Sequence, residues 1–377
     1  MGDIATIKIE EVKTIKDLKI FIDFHYELYK KNKYFVPPLR FDEMNTLRWD
    51  KNPAFEHCES KYWIAVRNNE VVGRIAGIIN KKYMEIWKNK YARFGWFDFI
   101  DDIEVSGALL TAFENWAKEK GSTAVHGPLG FTDLDREGML IEGFDKLGTV
   151  ASIYNHSYYP AHIDKLGYKK DADWVEYNVK VPSKIPEKAE RISKIVLKKH
   201  NLRIVEFKKS KDVLKYAKGI FELINLSYKD LYGVVELTEK QIDTYIKQYL
   251  GFVHPDFITV IVDKNDKVVA FEIAMPSLSV ALQKAKGRLF PFGFIHLLYA
   301  LKKPKYIDMY LVAVHPSLQN TGVSALIMLQ LTKAAIKNKI ISCETNPELE
   351  TNAKVQSIWE YYEARQHKRR RCYIKLL

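Results

Sequence analysis

The sequence predicts an α+β protein made of two strand-and-helix units in tandem. At 377 residues the chain is about two ordinary domains long. Strand-like runs alternate with helix-like periods on both sides of Val181-Pro-Ser-Lys-Ile-Pro-Glu187, where two prolines interrupt the pattern. The order helix, β-hairpin, strand, helix, strand, helix, strand occurs once on each side, which reads as an internal duplication. The boundary falls at residue 182, giving units 1–182 and 183–377.

On the N-terminal side, Leu18, Phe21, Ile22, His25 and Leu28 recur at helical spacing between Ile15 and Lys31. Tyr62–Arg67 and Val71–Ile79 flank Asn68-Asn69 and read as a hairpin. Arg93–Ile100 is a third strand, Val105–Lys120 a helix closed by Gly121, and Trp174–Val181 the last strand. On the C-terminal side a helical pair fills Lys211–Leu250, and Ile258–Val262 with Val268–Met275 forms a second hairpin. After an inserted segment come strand Tyr306–His315, helix Val323–Asn338, strand Ile340–Thr345, helix Asn352–Tyr362 and strand Cys372–Leu376.

Composition narrows the class. Hydrophobic residues make up 47% and charged residues 28%, enough to bury a core. Cys58, Cys343 and Cys372 lie far apart with no CxxC pair, which excludes a disulfide scaffold and a cysteine zinc site and fits a reducing, cytoplasmic setting. No His, Asp or Glu set has metal-ligand spacing, so no metal is expected. The start has no secretory signal; Gly2 and Thr6 match the loose N-myristoylation pattern, whose plain reading is an untied terminus. The excess of 59 Lys and Arg over 47 Asp and Glu leaves nucleic acid, an anionic membrane face or a phosphate-bearing ligand as partners. Its sharpest cluster, Arg365–Arg371, reads as a solvated charge run, and no groove-entering helix or stacking motif beside it supports nucleic acid. The apolar run Leu289–Leu301, broken by Pro291 and Gly293, is too short to span a bilayer. Flanked by lysines, it suits a lipidic acceptor or the inner membrane face, or else packs as a buried helix.

The chemistry concentrates in Ile307–Leu329. A strand runs into a loop holding Gln319, Asn320, Thr321, Gly322 and Ser324, and from Val323 the loop opens an apolar helix. Backbone N–H groups and the positive end of a helix dipole suit a pyrophosphate, and Gly322 permits positive φ or close approach. Neither a P-loop nor a GxGxxG fingerprint is present.

Gln319-Asn-Thr-Gly-Val-Ser324 resembles the signature of the GNAT family, the acyl-CoA-dependent N-acyltransferases. Asn352-Ala-Lys-Val-Gln-Ser-Ile-Trp359 is similar to its next landmark, with Trp359 where the family's general-acid tyrosine stands. His162–Tyr168 looks like the same landmark in a degenerate first copy, where Asp101, Asp102 and Glu104 replace the pyrophosphate loop. With Gly127-Pro-Leu-Gly-Phe-Thr-Asp133 and Glu142-Gly-Phe-Asp145, the chain resembles bacterial tandem-GNAT proteins, a group that includes proposed ceramide synthases. The resemblance implies two GNAT-like domains, each a mixed, mostly antiparallel sheet flanked by helices. It implies acyl-CoA bound by the second copy through Gln319–Ser324 and Asn352.

Direct acyl transfer to an amine then needs an opened strand whose amides polarise the thioester, with Leu311, Val312, Ala313 and Val314 as candidates. It needs a base, for which Glu344 and Glu272 are candidates, and a donor to the thiolate, for which Tyr361 and Tyr362 are. Glu344 could equally be ion-paired to Arg365–Arg371. Asp133, Asp135, Glu142 and Asp145, with His156, Tyr158 and Tyr159, could receive the amine or hydroxyl-bearing acceptor, or simply pin a long loop. A non-catalytic acyl-CoA or lipid-binding protein is the rival reading.

Overall fold

Thr14 and Asp17 start the first helix with a reciprocal cap. The Thr14 hydroxyl accepts the Asp17 N–H at 3.2 Å, and the Asp17 carboxylate accepts the Thr14 N–H at 3.0 Å. Helix Ile15–Tyr29 comes next. In this computed structural model residues 6–250 and 253–377 are described, and Gly2 of the acylation pattern lies outside them. Two compact units form: residues 1–174 with 279–296 and 368–377, and residues 175–278 with 297–367. A single cut at residue 182 therefore does not separate them. Residues 373–376 pair with Ala124–Gly127, and Gln283 donates to the Lys33 and Phe35 carbonyls, tying both late segments to the N-terminal unit.

The N-terminal sheet runs Lys8–Glu11, Cys58–Arg67, Glu70–Asn80, Tyr91–Phe99, Ala124–Gly127, then residues 373–376. Asn68 and Asn69 turn its hairpin with φ of 52° and 61°, which suits the right-handed twist of the strands. Helix Ile103–Glu119 buries Val105, Leu109, Phe113 and Trp116 on the sheet. Gly77 permits that approach, since a Cβ there would stand 2.8 Å from Phe113.

The C-terminal sheet repeats the plan as Arg203–Val205, Ile258–Val262, Val268–Pro276, Tyr306–Val314, Ser342–Glu344, then residues 178–180. In both sheets the fourth and fifth strands of this order pair in parallel, and every other adjacent pair is antiparallel. Helix Val323–Lys337 covers one face through Val323, Leu326, Ile327, Met328 and Leu331.

Two elements differ from expectation. In place of one helix over 352–362, a short helix Ala353–Gln356 gives way to a 3-10 turn Ser357–Tyr361. There the Trp359 indole N–H is drawn onto the Glu348 carboxylate at 3.0 Å. The closing strand is Ala364–Leu376, so the arginine cluster is sheet rather than a solvated run. Asp173 takes up two of its members, accepting from Arg369 at 3.1 Å and Arg371 at 2.7 and 2.9 Å, while Lys368 and Arg370 are buried. Among the described residues no helix is long and apolar enough to cross a membrane.

Candidate active site

Helix Val323–Lys337 begins at Gly322, which takes φ 93° and ψ 0° and carries no side-chain cap. The loop before it is held by itself: His315 Nδ1 accepts the Ser317 N–H, and the Thr321 hydroxyl donates to the Leu318 carbonyl at 2.6 Å. The first intrahelical bond is from Leu326 N–H to the Gly322 carbonyl. Among the described residues no acceptor meets the N–H groups of Val323, Ser324 and Ala325, the orphan donors of every helix start. Gln319 and Asn320 are exposed beside them.

Strand Tyr306–Val314 supplies the second half of the site. It pairs with Ser342–Glu344 only through Tyr306, Ile307 and Asp308. On its other edge the register with Val268–Pro276 shifts between Ile273 and Ala274 and leaves Tyr310 as the extra residue. Such a bulge bends a strand and re-aims the side chains beyond it. Past the bulge, Asn346 donates to the Tyr310 carbonyl, and Tyr228 spans Val312. The Tyr228 hydroxyl donates to the Val312 carbonyl at 2.8 Å and accepts its N–H at 3.3 Å. Sequence reasoning misses Tyr228, because nothing local marks a helix-end tyrosine as reaching a strand 84 residues away.

The two candidate bases lie on opposite faces of the sheet. Glu272 sits opposite Val312, on the face where Val314 packs under helix Val323–Lys337. It is 1% exposed, and neither carboxyl oxygen has a hydrogen-bond partner among the described residues. Burial pushes it up to about 8, so it is a protonated acid at neutral pH. Tyr362 lies near it, its hydroxyl 3.4 Å from Thr332 Oγ1; burial pushes that phenol up, and Glu272 and Cys343 add to the shift.

Glu344 follows Cys343, which belongs to the helix-covered core, so alternation puts Glu344 on the other face. Its Oε1 is 2.6 Å from His367 Nε2, and Asn178 donates to Oε2 at 3.4 Å. The histidine of the closing strand is thus one of its basic partners. Tyr361 is exposed to solvent, and Asn352 heads the short helix without a side-chain cap. The Trp359 indole is committed to Glu348, whose carboxyl burial raises to about 7.

The first copy has the same plan, filled in. Its register shifts between Arg74 and Ala76, with Trp96 at φ 44°, but the opening is occupied: Leu129 N–H donates to the Phe94 carbonyl, and a Cβ on Gly95 would fall 2.5 Å from the Leu129 oxygen. The start of helix Ile103–Glu119 is capped by Asp102, which accepts the Glu104 N–H at 2.8 Å and pairs with Arg67 at 2.5 Å.

The candidate acceptor contacts do not form one group. Tyr158 and Tyr159 bond the Phe99 backbone, Tyr159 also meets the Tyr29 hydroxyl, and His156 stacks between Tyr29 and Tyr158. That aromatic set surrounds Asp98. Burial opposes ionisation of Asp98, yet His25 and Arg74 hold its carboxyl well below the usual range. Glu142 faces Arg369 at 3.5 Å and Asp145 pairs with Lys146 at 2.6 Å, both at the surface. Asp135 accepts the Phe131 and Thr132 N–H groups and so pins its loop. Asp133 is pushed up to about 6 by burial, with Asp135 adding to the shift, and Glu137 beside it is raised further.

One mixed sheet plan built twice, each time with a parallel pair that ends short of a register shift in its fourth strand, is a tandem GNAT fold. The chain belongs to the family of protein YghO of Escherichia coli (strain K12). It is 30% identical over 369 residues to protein YghO of Escherichia coli (strain K12), covering 95% of this chain and 93% of the relative. It is 26% identical over 305 residues to a bacterial ceramide synthase of Caulobacter vibrioides (strain NA1000 / CB15N), covering 79% and 77%. A tandem GNAT protein from the clavulanic acid biosynthesis pathway, solved without acetyl-CoA, superposes with a TM-score of 0.56 at 12% identity over 98% of each chain. A GCN5-related glucosamine N-acetyltransferase region of a fungal β-N-acetylglucosaminidase gives 0.55 at 14% identity, over 98% of this chain and 38% of that one. No protein-family model matches the chain.

Replacing Gly322 with valine should weaken binding of coenzyme A by about tenfold, because φ 93° disfavours an L-residue and the new Cβ would stand 3.1 Å from Val196. Calorimetry measures the affinity and circular dichroism the retained fold; an unchanged dissociation constant would remove this loop from the donor site.

Proposed function

We propose that the chain is an acyl-CoA-dependent N-acyltransferase that passes an acyl group directly to an amine, without a covalent enzyme intermediate. The observation that carries this reading is the uncapped start of helix Val323–Lys337 beside the opening of strand Tyr306–Val314. The residues present fit a coenzyme A thioester. Three adjacent donors and the dipole end suit its pyrophosphate, and Gly322, in the left-handed region, puts no side chain over the turn. Leu311–Val314 would lie along the thioester, with an amide polarising its carbonyl.

In the reaction the amine nitrogen bonds to the carbonyl carbon and the carbon–sulfur bond breaks. The amine proton passes to the Glu344–His367 pair. The departing thiolate takes the proton of Glu272, with Tyr362 alongside. The likeness to a bacterial ceramide synthase supports an amine carried on a long-chain lipid of the sphingoid type.

One observation favours a second reading, an acyl-CoA-binding protein without turnover: Tyr228 occupies both hydrogen-bonding groups of Val312. Calorimetry with acetyl-CoA and palmitoyl-CoA, followed by thiol release with short and long-chain amines, separates the two. The transferase reading expects binding and release with a long-chain amine. Binding with no release for any amine supports the second reading, and no binding removes both.

The Glu272 carboxyl sets the expected pH dependence. Its folded value lies above the ordinary 4.5, so its share of stability is present below about 4.5 and lost as pH rises through about 8. Turnover should likewise fall above about 8 as the acid ionises. Glu272→Gln should lower kcat, remove that alkaline limb and flatten the stability profile between about pH 5 and 8, as read by rate profiles and urea unfolding. An unchanged alkaline limb would strip Glu272 of the role.

A further inference from the structure

The apolar run that precedes Tyr306 does not sink into a core. Phe290 and Phe292 stand 77% and 70% exposed. The turn that carries them is held by its own backbone, from Gly287 N–H to the Leu282 carbonyl, Arg288 N–H to Ala285, and Phe294 N–H to Leu289. Gly293 is obligatory there, because a Cβ would fall 1.8 Å from the Arg288 oxygen. The rings are thus presented outward on an ordered support. Helix Gly293–Lys302 continues the surface with Ile295, Leu298 and Tyr299, all exposed and spaced three and four apart on one face.

Charge surrounds this tip with one sign. Lys284, Lys286 and Arg288 precede it, and Lys302, Lys303 and Lys305 follow; all six are exposed. Residues 279–305 contain no Asp or Glu, and among the described residues none of the six cations has a carboxylate partner. Gln283 anchors the segment to the Lys33 and Phe35 carbonyls, which sets Lys33 beside it, while Lys30 pairs with Glu27.

We propose that residues 284–305 dock the protein on an anionic phospholipid bilayer. Phe290 and Phe292 enter the boundary between headgroups and acyl chains, and the flanking Lys and Arg side chains meet lipid phosphates. A protein partner would have to match an apolar tip ringed by cations; a bilayer offers hydrocarbon beneath a plane of negative charge. The ten-residue helix is too short to cross, so contact is along the surface. This inference stands apart from the acyl-transfer reading, since the contact needs neither donor nor amine.

The test uses the full chain with phosphatidylcholine vesicles, with and without phosphatidylglycerol. The protein should sediment with the phosphatidylglycerol vesicles and release as salt rises. The double variant Phe290→Ser and Phe292→Ser should bind at least about tenfold more weakly with an unchanged melting temperature, because both rings are already in solvent. Lys284→Glu with Lys302→Glu should lose the preference for phosphatidylglycerol. A Phe292→Trp variant should be quenched by brominated lipid. Failure to sediment, or equal binding by the serine variant, would overturn the proposal. A native dimer that the serine variant turns into monomer would also overturn it, assigning the face to a second copy.

Discussion

The C-terminal site depends on the backbone donors at the start of helix Val323–Lys337 being left without protein acceptors. A helix start has orphan N–H groups, and a side-chain cap is worth about 1 kcal/mol to the fold. Gly322, in the left-handed region, turns the chain into the helix and forgoes that cap. In the first copy Asp102 takes the capping position, with Arg67 on the same carboxylate. A charge-assisted hydrogen bond contributes about 1.5–3 kcal/mol, so in the proposed complex a doubly charged pyrophosphate on several such donors would outweigh the missing cap. One sheet plan therefore yields a locally stabilised turn in one copy and an anion-ready one in the other.

The strand opening follows the same division. Both copies carry the register shift that bends the fourth strand, yet in the first the backbone of Leu129 fills the gap and in the second one hydroxyl, that of Tyr228, crosses it. The carboxyls then separate by environment. Glu344 keeps a hydrogen-bonded imidazole on one face, while Glu272 is enclosed on the other, has no hydrogen-bond partner among the described residues and stays protonated. Two carboxyls of one sheet thus meet very different surroundings on its two faces.

The hairpins, the long helices and the Gln319–Ser324 turn are readable from periodicity because each is set by neighbours close in sequence. The positions of Glu272 and Glu344 on strands are readable too. Their opposite faces are not, because the bulge at Tyr310 inverts the alternation and only the pairing register reveals it. The closing strand is longer than its sequence suggests, because Arg369 and Arg371 look incompatible with a sheet until Asp173, nearly two hundred residues earlier, is seen to accept them. His367 escapes notice as the partner of Glu344 for the same reason. Trp359 fills the expected landmark, but its indole turns to Glu348 and the helix gives way to a tighter turn.

The most direct measurement is amide hydrogen exchange with and without coenzyme A. Residues 323–325 should become protected on binding, with the start of helix Ile103–Glu119 unaffected. Protection at residues 103–106 instead, or none at residues 323–325 when the ligand is bound, would contradict it.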